Sequence, residues 1–85
     1  MGLSEMFDGF IAHIAQRRRL REVFETSEVV YARIFGDGAE SEFMKVDGGV
    51  FGVDGMFGEY LEQGGRVDII GMDNDGRLVD SVRLG

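Results

Sequence analysis

The sequence predicts an α+β fold: an N-terminal amphipathic helix followed by a five- or six-stranded antiparallel meander, curled into a small SH3-like or OB-like barrel. Apolar residues recur at helical spacing near the start, and short β-rich runs follow from Glu28 onward. Dipeptides typical of tight turns separate those runs. At 85 residues there is room for a single domain, with residues 1–27 as its helical segment and residues 28–85 as its β body.

The helical segment carries two apolar stripes on different faces. Ser4 is a good N-cap residue, and the first stripe comprises Leu3, Met6, Phe7, Phe10, Ile11 and Ile14. Leu20, Val23 and Phe24 lie on a face rotated from that stripe by roughly 100°. We therefore expect a different surface to bury them, and a second subunit would make the protein a homo-oligomer.

The β body is divided by Asp-Gly and Gly-Gly dipeptides, which supply the positive φ angles of tight turns. Glycines inside the runs would permit the bends that a small barrel needs. One segment stays open, because residues 56–63 also fit two turns of helix. The predicted strands are Val29–Phe35, Phe43–Val46, Val50–Val53, Met56–Leu61, Val67–Met72 and Leu78–Leu84.

The composition argues against a cofactor, a metal site and catalysis. The chain has no cysteine and one histidine, whereas zinc sites are built mainly from those two residues. The glycine-rich tract 49–58 lacks the Lys and Ser/Thr of a phosphate loop. The turn Asp73-Asn74-Asp75-Gly76 lacks the oxygen ligands that a calcium loop needs at both ends. No acid–base pair stands out, and so small a chain has little room for a catalytic pocket.

Charge is unevenly distributed. The formal net charge is −7. Residues 1–27 hold four basic and four acidic side chains, whereas residues 28–85 hold five basic and twelve acidic ones. An acidic body repels nucleic-acid phosphate and attracts a protein with a basic surface. We therefore expect a protein partner and no direct binding of nucleic acid.

Three groups of residues are candidate contacts with a partner. The arginine cluster of the helix comprises Arg17, Arg18, Arg19 and Arg21. It fits phosphate or RNA contact, anionic lipid contact, or salt bridges to an acidic partner or to the acidic body. Protein contact is favoured, because arginine is enriched in interface hot spots. The glycine-rich tract offers apolar side chains, and two turns offer carboxylates. The candidates are Arg17, Arg18, Arg21, Leu20, Val23, Phe24, Asp37, Glu40, Glu42, Phe51, Phe57, Asp73 and Asp75.

Together these features predict a small acidic protein-binding module, a regulator or adaptor that self-associates through its helix. One alternative is an acidic inhibitor that mimics nucleic acid, as phage-encoded inhibitors of nucleic-acid-binding complexes do. Another is a membrane-surface protein, although Glu5 and Asp8 oppose contact with anionic lipid. The first residues do not form a secretory signal, and no apolar run is long enough to span a bilayer, so the expected location is cytoplasmic.

Overall fold

The computed structural model describes the backbone of residues 3–34 and 43–85, and the side chains of residues 15–34 and 43–85. Its elements, in chain order, are α1 (Leu3–Thr26), β1 (Val29–Ile34), β2 (Phe43–Lys45), α2 (Gly49–Glu62), β3 (Val67–Met72) and β4 (Leu78–Leu84). The strands form one sheet in the order β2-β1-β3-β4, and every neighbouring pair is antiparallel.

The predicted barrel is wrong. The fold is α+β, but the sheet has four strands and stays open, with β2 at one edge and β4 at the other. The predicted runs Val67–Met72 and Leu78–Leu84 coincide with β3 and β4. The runs Val50–Val53 and Met56–Leu61 are not strands, because both lie within α2.

Helix α2 forms because its apolar residues share one face. Val50, Val53, Phe57 and Leu61 are spaced by three or four residues and pack into or against the core. The helix ends in a Schellman motif: the Gly64 N–H donates to the Leu61 carbonyl at 3.1 Å and the Gly65 N–H donates to the Tyr60 carbonyl at 2.9 Å. Gly64 has a φ of 91°, which favours glycine at this position.

The tract 49–58 has glycine at every third position, and these glycines serve different structural purposes. Gly48 and Gly49 have positive φ angles and turn the chain into α2. Gly52 lies one turn inside the helix, where a Cβ would stand 1.9 Å from the Asp47 carbonyl oxygen. A Cβ on Gly55 or Gly58 would meet no atom within 4 Å. Only the first part of the tract therefore requires glycine.

The core lies between one face of the sheet and the two helices. Leu20 and Val23 of α1 meet the inward side chains of the strands, among them Ala32 and Ile69. Val53 and Phe57 of α2 complete the same cluster. The domain therefore has two layers, with both helices on the same side of the sheet.

The end of α1 approaches β3 closely at Gly71. A Cβ on Gly71 would stand 1.8 Å from Ser27 Oγ and 3.0 Å from a methyl carbon of Val23. Glycine at this strand position therefore brings the helix onto the sheet, and a larger residue would push it away.

Alanine substitutions within α2 should separate these roles. Gly55→Ala removes the conformational cost of glycine in a helix and should raise the free energy of unfolding by about 0.5–1 kcal/mol. Gly52→Ala should lower it, because the new methyl collides with the Asp47 carbonyl. Urea denaturation of both variants checks this, and equal effects would contradict the assignment of Gly52 to a close backbone approach.

Candidate interaction surface

The side of the sheet opposite the helices is an open face on which three rows of side chains are aligned by the strand register. The first row holds Val29, Met72 and Leu78. The second row holds Lys45, Tyr31, Ile70 and Ser81, and the third holds Phe43, Arg33, Asp68 and Arg83. The second and third rows cross the sheet in the order β2, β1, β3, β4, and the first row begins at β1. We refer to these residues together as the open face.

The open face combines apolar area with positive charge. Phe43 is 54% exposed and Leu78 is 65% exposed. The strand positions of this face hold three cations, Arg33, Lys45 and Arg83, and one carboxylate, Asp68, although residues 28–85 hold five basic and twelve acidic side chains overall. Most of the acidity of the β body therefore lies elsewhere.

Contacts within the open face fix several of its side chains. The Tyr31 and Phe43 rings meet edge to face with centroids 6.5 Å apart. The Arg33 guanidinium lies over the Phe43 ring, 6.0 Å from its centroid, which suits a cation–π contact. Arg83 Nε donates to Asp68 Oδ1 at 2.8 Å across β3 and β4. These contacts limit the side-chain entropy that a partner's binding would cost.

The outer edge of β4 is occupied by an ion pair. The two terminal guanidinium nitrogens of Arg19, Nη2 and Nη1, donate to the Asp80 carboxylate at 2.8 and 3.3 Å. The Ser81 N–H donates to Asp80 Oδ1 at 2.8 Å, and the Ser81 carbonyl accepts from Arg19 at 3.3 Å. The N–H and C=O of one residue in an antiparallel strand point to the same edge, so Ser81 directs both toward the edge that no strand occupies. The ion pair satisfies both groups and obstructs the addition of another strand.

This arrangement explains an aspartate on the helix side of β4. Asp80 interrupts the apolar alternation of the strand, and the register shifts between β3 and β4 beside it. The hydrogen bond from Arg19 lowers the pKa of the Asp80 carboxyl, and the bond from the Ser81 N–H lowers it further. The carboxylate therefore stays ionised to a lower pH than a free aspartate does.

The other edge strand, β2, is only three residues long. Short edge strands offer few backbone groups for pairing. Both edges of the sheet are therefore poor templates for strand addition, and the open face is the larger free surface of the sheet.

The second apolar group of α1 belongs to the domain itself. Leu20 is 2% exposed and Val23 is completely buried in the core, with Phe24 packed against it. Leu20 and Val23 are therefore not accessible to a partner of the folded domain, whereas Phe24 is half-buried. The side chains of the first stripe, residues 3–14, lie outside the described side chains, so the comparison of the two stripes stays a prediction.

The arginine cluster divides into two pairs. Arg17 forms a two-pronged pair with Asp54 of α2, with both distances 3.0 Å, and Arg19 binds Asp80 and Glu22. Arg17 and Arg19 form salt bridges to the acidic body, which is one of the contacts expected for this cluster. Arg18 and Arg21 remain exposed to a partner.

The remaining candidates are dispersed. Phe57 is in the core, whereas Phe51 of α2 is 84% exposed. The Asp73 carboxylate organises the turn before β4 by accepting from the N–H groups of Asp75 and Arg77, both at 2.9 Å, and Asp75 is exposed. Asp37, Glu40 and Glu42 lie outside the described residues. The chain leaves β1 at Ile34 and enters β2 at Phe43, at the end of the sheet opposite the Asp73 turn.

A cavity of about 330 Å³ lies between the two helices and the C-terminus. Leu20, Leu61 and Leu84 supply its apolar lining, and the Arg17–Asp54 pair crosses its rim. Two of its charged lining groups, Arg17 and Asp54, already bind each other. Among the described residues no group of His, Cys, Asp and Glu could hold a metal ion.

Sequence reasoning did not select the residues of the open face. Tyr31 and Arg33 occupy alternate positions of β1, whereas Phe43 lies further along the chain in β2. Only the pairing of β1 with β2 brings the three together. One signal was present: β1 reads Val-Val-Tyr-Ala-Arg-Ile, in which large apolar side chains fall on both faces. A strand of this kind is compatible with contacts on both faces, and the described helices pack on only one of them.

Removing the ion pair should expose the β4 edge. In Asp80→Ala the Ser81 N–H loses its acceptor, so we expect its hydrogen exchange to accelerate by about tenfold. Arg17→Ala is the matched control, because it removes a comparable two-pronged pair between α1 and α2 and leaves β4 untouched. Amide exchange followed by NMR measures both variants, and equal protection of Ser81 in wild type and Asp80→Ala would contradict this arrangement.

The contribution of Asp80 to stability should depend on pH. Its pKa is lowered in the folded state, so the contribution is present above the unfolded value of about 3.9 and is lost as pH falls through the folded pKa. The stability difference between wild type and Asp80→Asn should therefore be constant near neutrality and shrink below about pH 4. Thermal unfolding of both proteins from pH 2 to 7 measures it.

Neither helix, within the residues that the structure describes, has the length and apolar character needed to cross a bilayer. Comparisons of the chain with models of protein families, with curated proteins and with solved structures find no match.

Proposed function

We propose that this chain is a small acidic protein-binding module, an adaptor or regulator, whose contact surface is the open face of its sheet. The observation that carries the proposal is the row arrangement of apolar, aromatic and cationic side chains on a sheet face that neither helix covers. Aromatic residues and arginine are enriched in the cores of protein interfaces.

The exposed apolar residues support this choice of surface. Phe43 and Leu78 lie at opposite corners of the open face, with the half-buried Tyr31 and Ile70 between them. Contiguous apolar area rimmed by polar groups is typical of protein-binding sites, whereas single exposed apolar residues are common on any surface. On α2, Phe51 has Asp54 and Gly55 as its neighbours one turn further along the helix, and the other exposed large apolar residue, Met56, lies five residues away.

The charge of the open face favours a partner that supplies carboxylates. Its strand positions hold three cations for one carboxylate, and that carboxylate is already paired with Arg83. The alternative of an acidic nucleic-acid mimic receives less support. Among its carboxylates within the described residues, Asp73 organises its own turn through two backbone hydrogen bonds.

Substitution of the exposed apolar residues tests the proposal. Phe43→Ser and Leu78→Ser should abolish capture of the partner from a lysate of the source cells, because both remove apolar area from the open face. Phe51→Ser is the matched control, since it removes an equally large and even more exposed side chain from α2. We expect it to capture the partner as wild type does.

The captured protein, identified by mass spectrometry, is then titrated into isotopically labelled chain. Chemical-shift changes should concentrate in β1, β3 and the facing residues of β2 and β4. Loss of capture in Phe51→Ser but not in the two sheet variants would overturn the proposal, and so would shifts confined to the helices. Thermal unfolding of each variant verifies that it is folded.

A further inference from the structure

We infer that the open face binds the open face of a second copy of this chain, about a two-fold axis that runs parallel to the strands between β1 and β3. This inference rests on the proposed function and names the partner of the same surface. It follows from the order of side chains within the rows. When a row is reversed and laid on an identical row, opposite charges meet in the charged row and apolar side chains meet in the centre of the other two.

The axis determines which side chains meet. Rotation about an axis parallel to the strands keeps each row opposite itself and reverses the strand order, so β1 faces β3 and β2 faces β4 of the second copy. Two sheets packed face to face in this way keep their strands nearly aligned, as in β-sandwiches.

The charged row is complementary under this rotation. Its order across the sheet is Phe43, Arg33, Asp68, Arg83. Reversal places Arg33 opposite Asp68 of the second copy and Phe43 opposite Arg83 of the second copy. The first contact pairs opposite charges, and the second places a guanidinium at an aromatic ring. Each interface contains both contacts twice.

In the other two rows the central pairs are apolar, whereas Leu78 at the end of the first row meets no residue of β2. Tyr31 meets Ile70 of the second copy, and Val29 meets Met72 of the second copy. Lys45 meets Ser81 at the rim, where solvent remains close. An axis perpendicular to the strands fails, because it reverses the row order and lays the apolar row on the charged row. That arrangement would bury charges without partners, which is costly.

The interface would be small, so the dimer should be weak. Four strands about 4.8 Å apart and six residues of about 3.4 Å each give a flat area of at most about 400 Å² per copy. A standard stable interface buries about 800 Å² of accessible surface per partner, a measure that follows side-chain relief and so exceeds the flat outline of the same contact. The net charge of −7 on each copy also opposes approach at long range, and the two open faces together bring six cations to two carboxylates. We therefore expect a reversible dimer with a dissociation constant in the micromolar range or weaker.

The first experiment uses a charge exchange between copies. Arg33→Glu and Asp68→Arg each place like charges opposite one another in a homodimer, so each variant alone should lose at least about tenfold in dimer affinity. An equimolar mixture of the two should dimerise as wild type does, because both facing pairs in the mixed dimer are again opposite in charge. Sedimentation equilibrium with one variant labelled measures all three samples.

This mixture distinguishes contact between copies from contact within one chain. Arg33 and Asp68 are also register neighbours in the monomer, so a loss in either variant alone could reflect that local pair. Mixing cannot repair a defect inside each chain. Recovery in the mixture therefore requires that Arg33 meet Asp68 of another copy, and failure to recover between folded variants overturns the inference.

A second experiment leaves the charged row intact. The chain has no cysteine, so Lys45→Cys and Ser81→Cys each introduce a single reactive thiol at an exposed position. A bismaleimide that spans the roughly 10 Å between packed sheets should link the two variants to each other. Each variant alone should stay unlinked, because residue 45 faces residue 81 and not itself. Linking of Lys45→Cys alone would overturn the axis proposed here.

The outcomes separate this inference from the proposed function. A wild-type chain that stays monomeric up to about 1 mM, with no cross-linking in the mixture, overturns the inference of a second copy. Capture of a different protein that depends on Phe43 and Leu78 would then leave the proposed function standing. If neither association nor capture depends on the open face, both are overturned.

Discussion

The close approach of α1 to the sheet at Gly71 is the contact on which the rest of the structure depends. Without a side chain at this position, Val23 reaches the sheet and Ser27 lies directly over β3. Leu20 and Val23 are then fully buried, and α2 closes the core from the same side. The helices of the described chain thereby lie on one face of the sheet, and no described helix packs on the other face.

Ion pairs then determine which parts of this small molecule stay accessible. Arg17 ties α1 to α2, and Arg19 ties α1 to β4. Exposed pairs contribute little to stability individually. Their positions matter more than their strength, because the Arg19–Asp80 pair also satisfies the backbone of Ser81 at the sheet edge. The same interaction thus holds the helix on the sheet and discourages strand addition.

The separation of charge has a consequence for binding. The chain is acidic as a whole, which favours solubility and weakens association of like copies at long range. Its open face has the opposite balance, with Arg33, Lys45 and Arg83 against Asp68. A partner on this face therefore meets apolar area and cations together. The reversed order of the charged row makes a second copy of the chain a partner that offers a matching carboxylate.

The sequence by itself determined the α+β class, the strands Val67–Met72 and Leu78–Leu84, and the turn between them. These features are local: alternation defines a strand, and Asp73 with Gly76 shapes a turn through its own neighbours. The first part of α2 was misassigned and residues 56–63 were left open between strand and helix, because the glycines of this segment have low intrinsic helix propensity. The helix is stabilised mainly by packing of Val53 and Phe57 against distant elements.

Only the tertiary structure decided which surface remains free. The roles of Leu20, Val23 and Asp80 depend on which strand the helix crosses, and the open face exists only once β1 pairs with β2 and β3 in one register. A strand with apolar side chains on both faces, such as β1, has the same sequence whether one face or both are covered. Coverage depends on contacts between residues far apart in the chain, and the periodicity of a single strand carries no information about them.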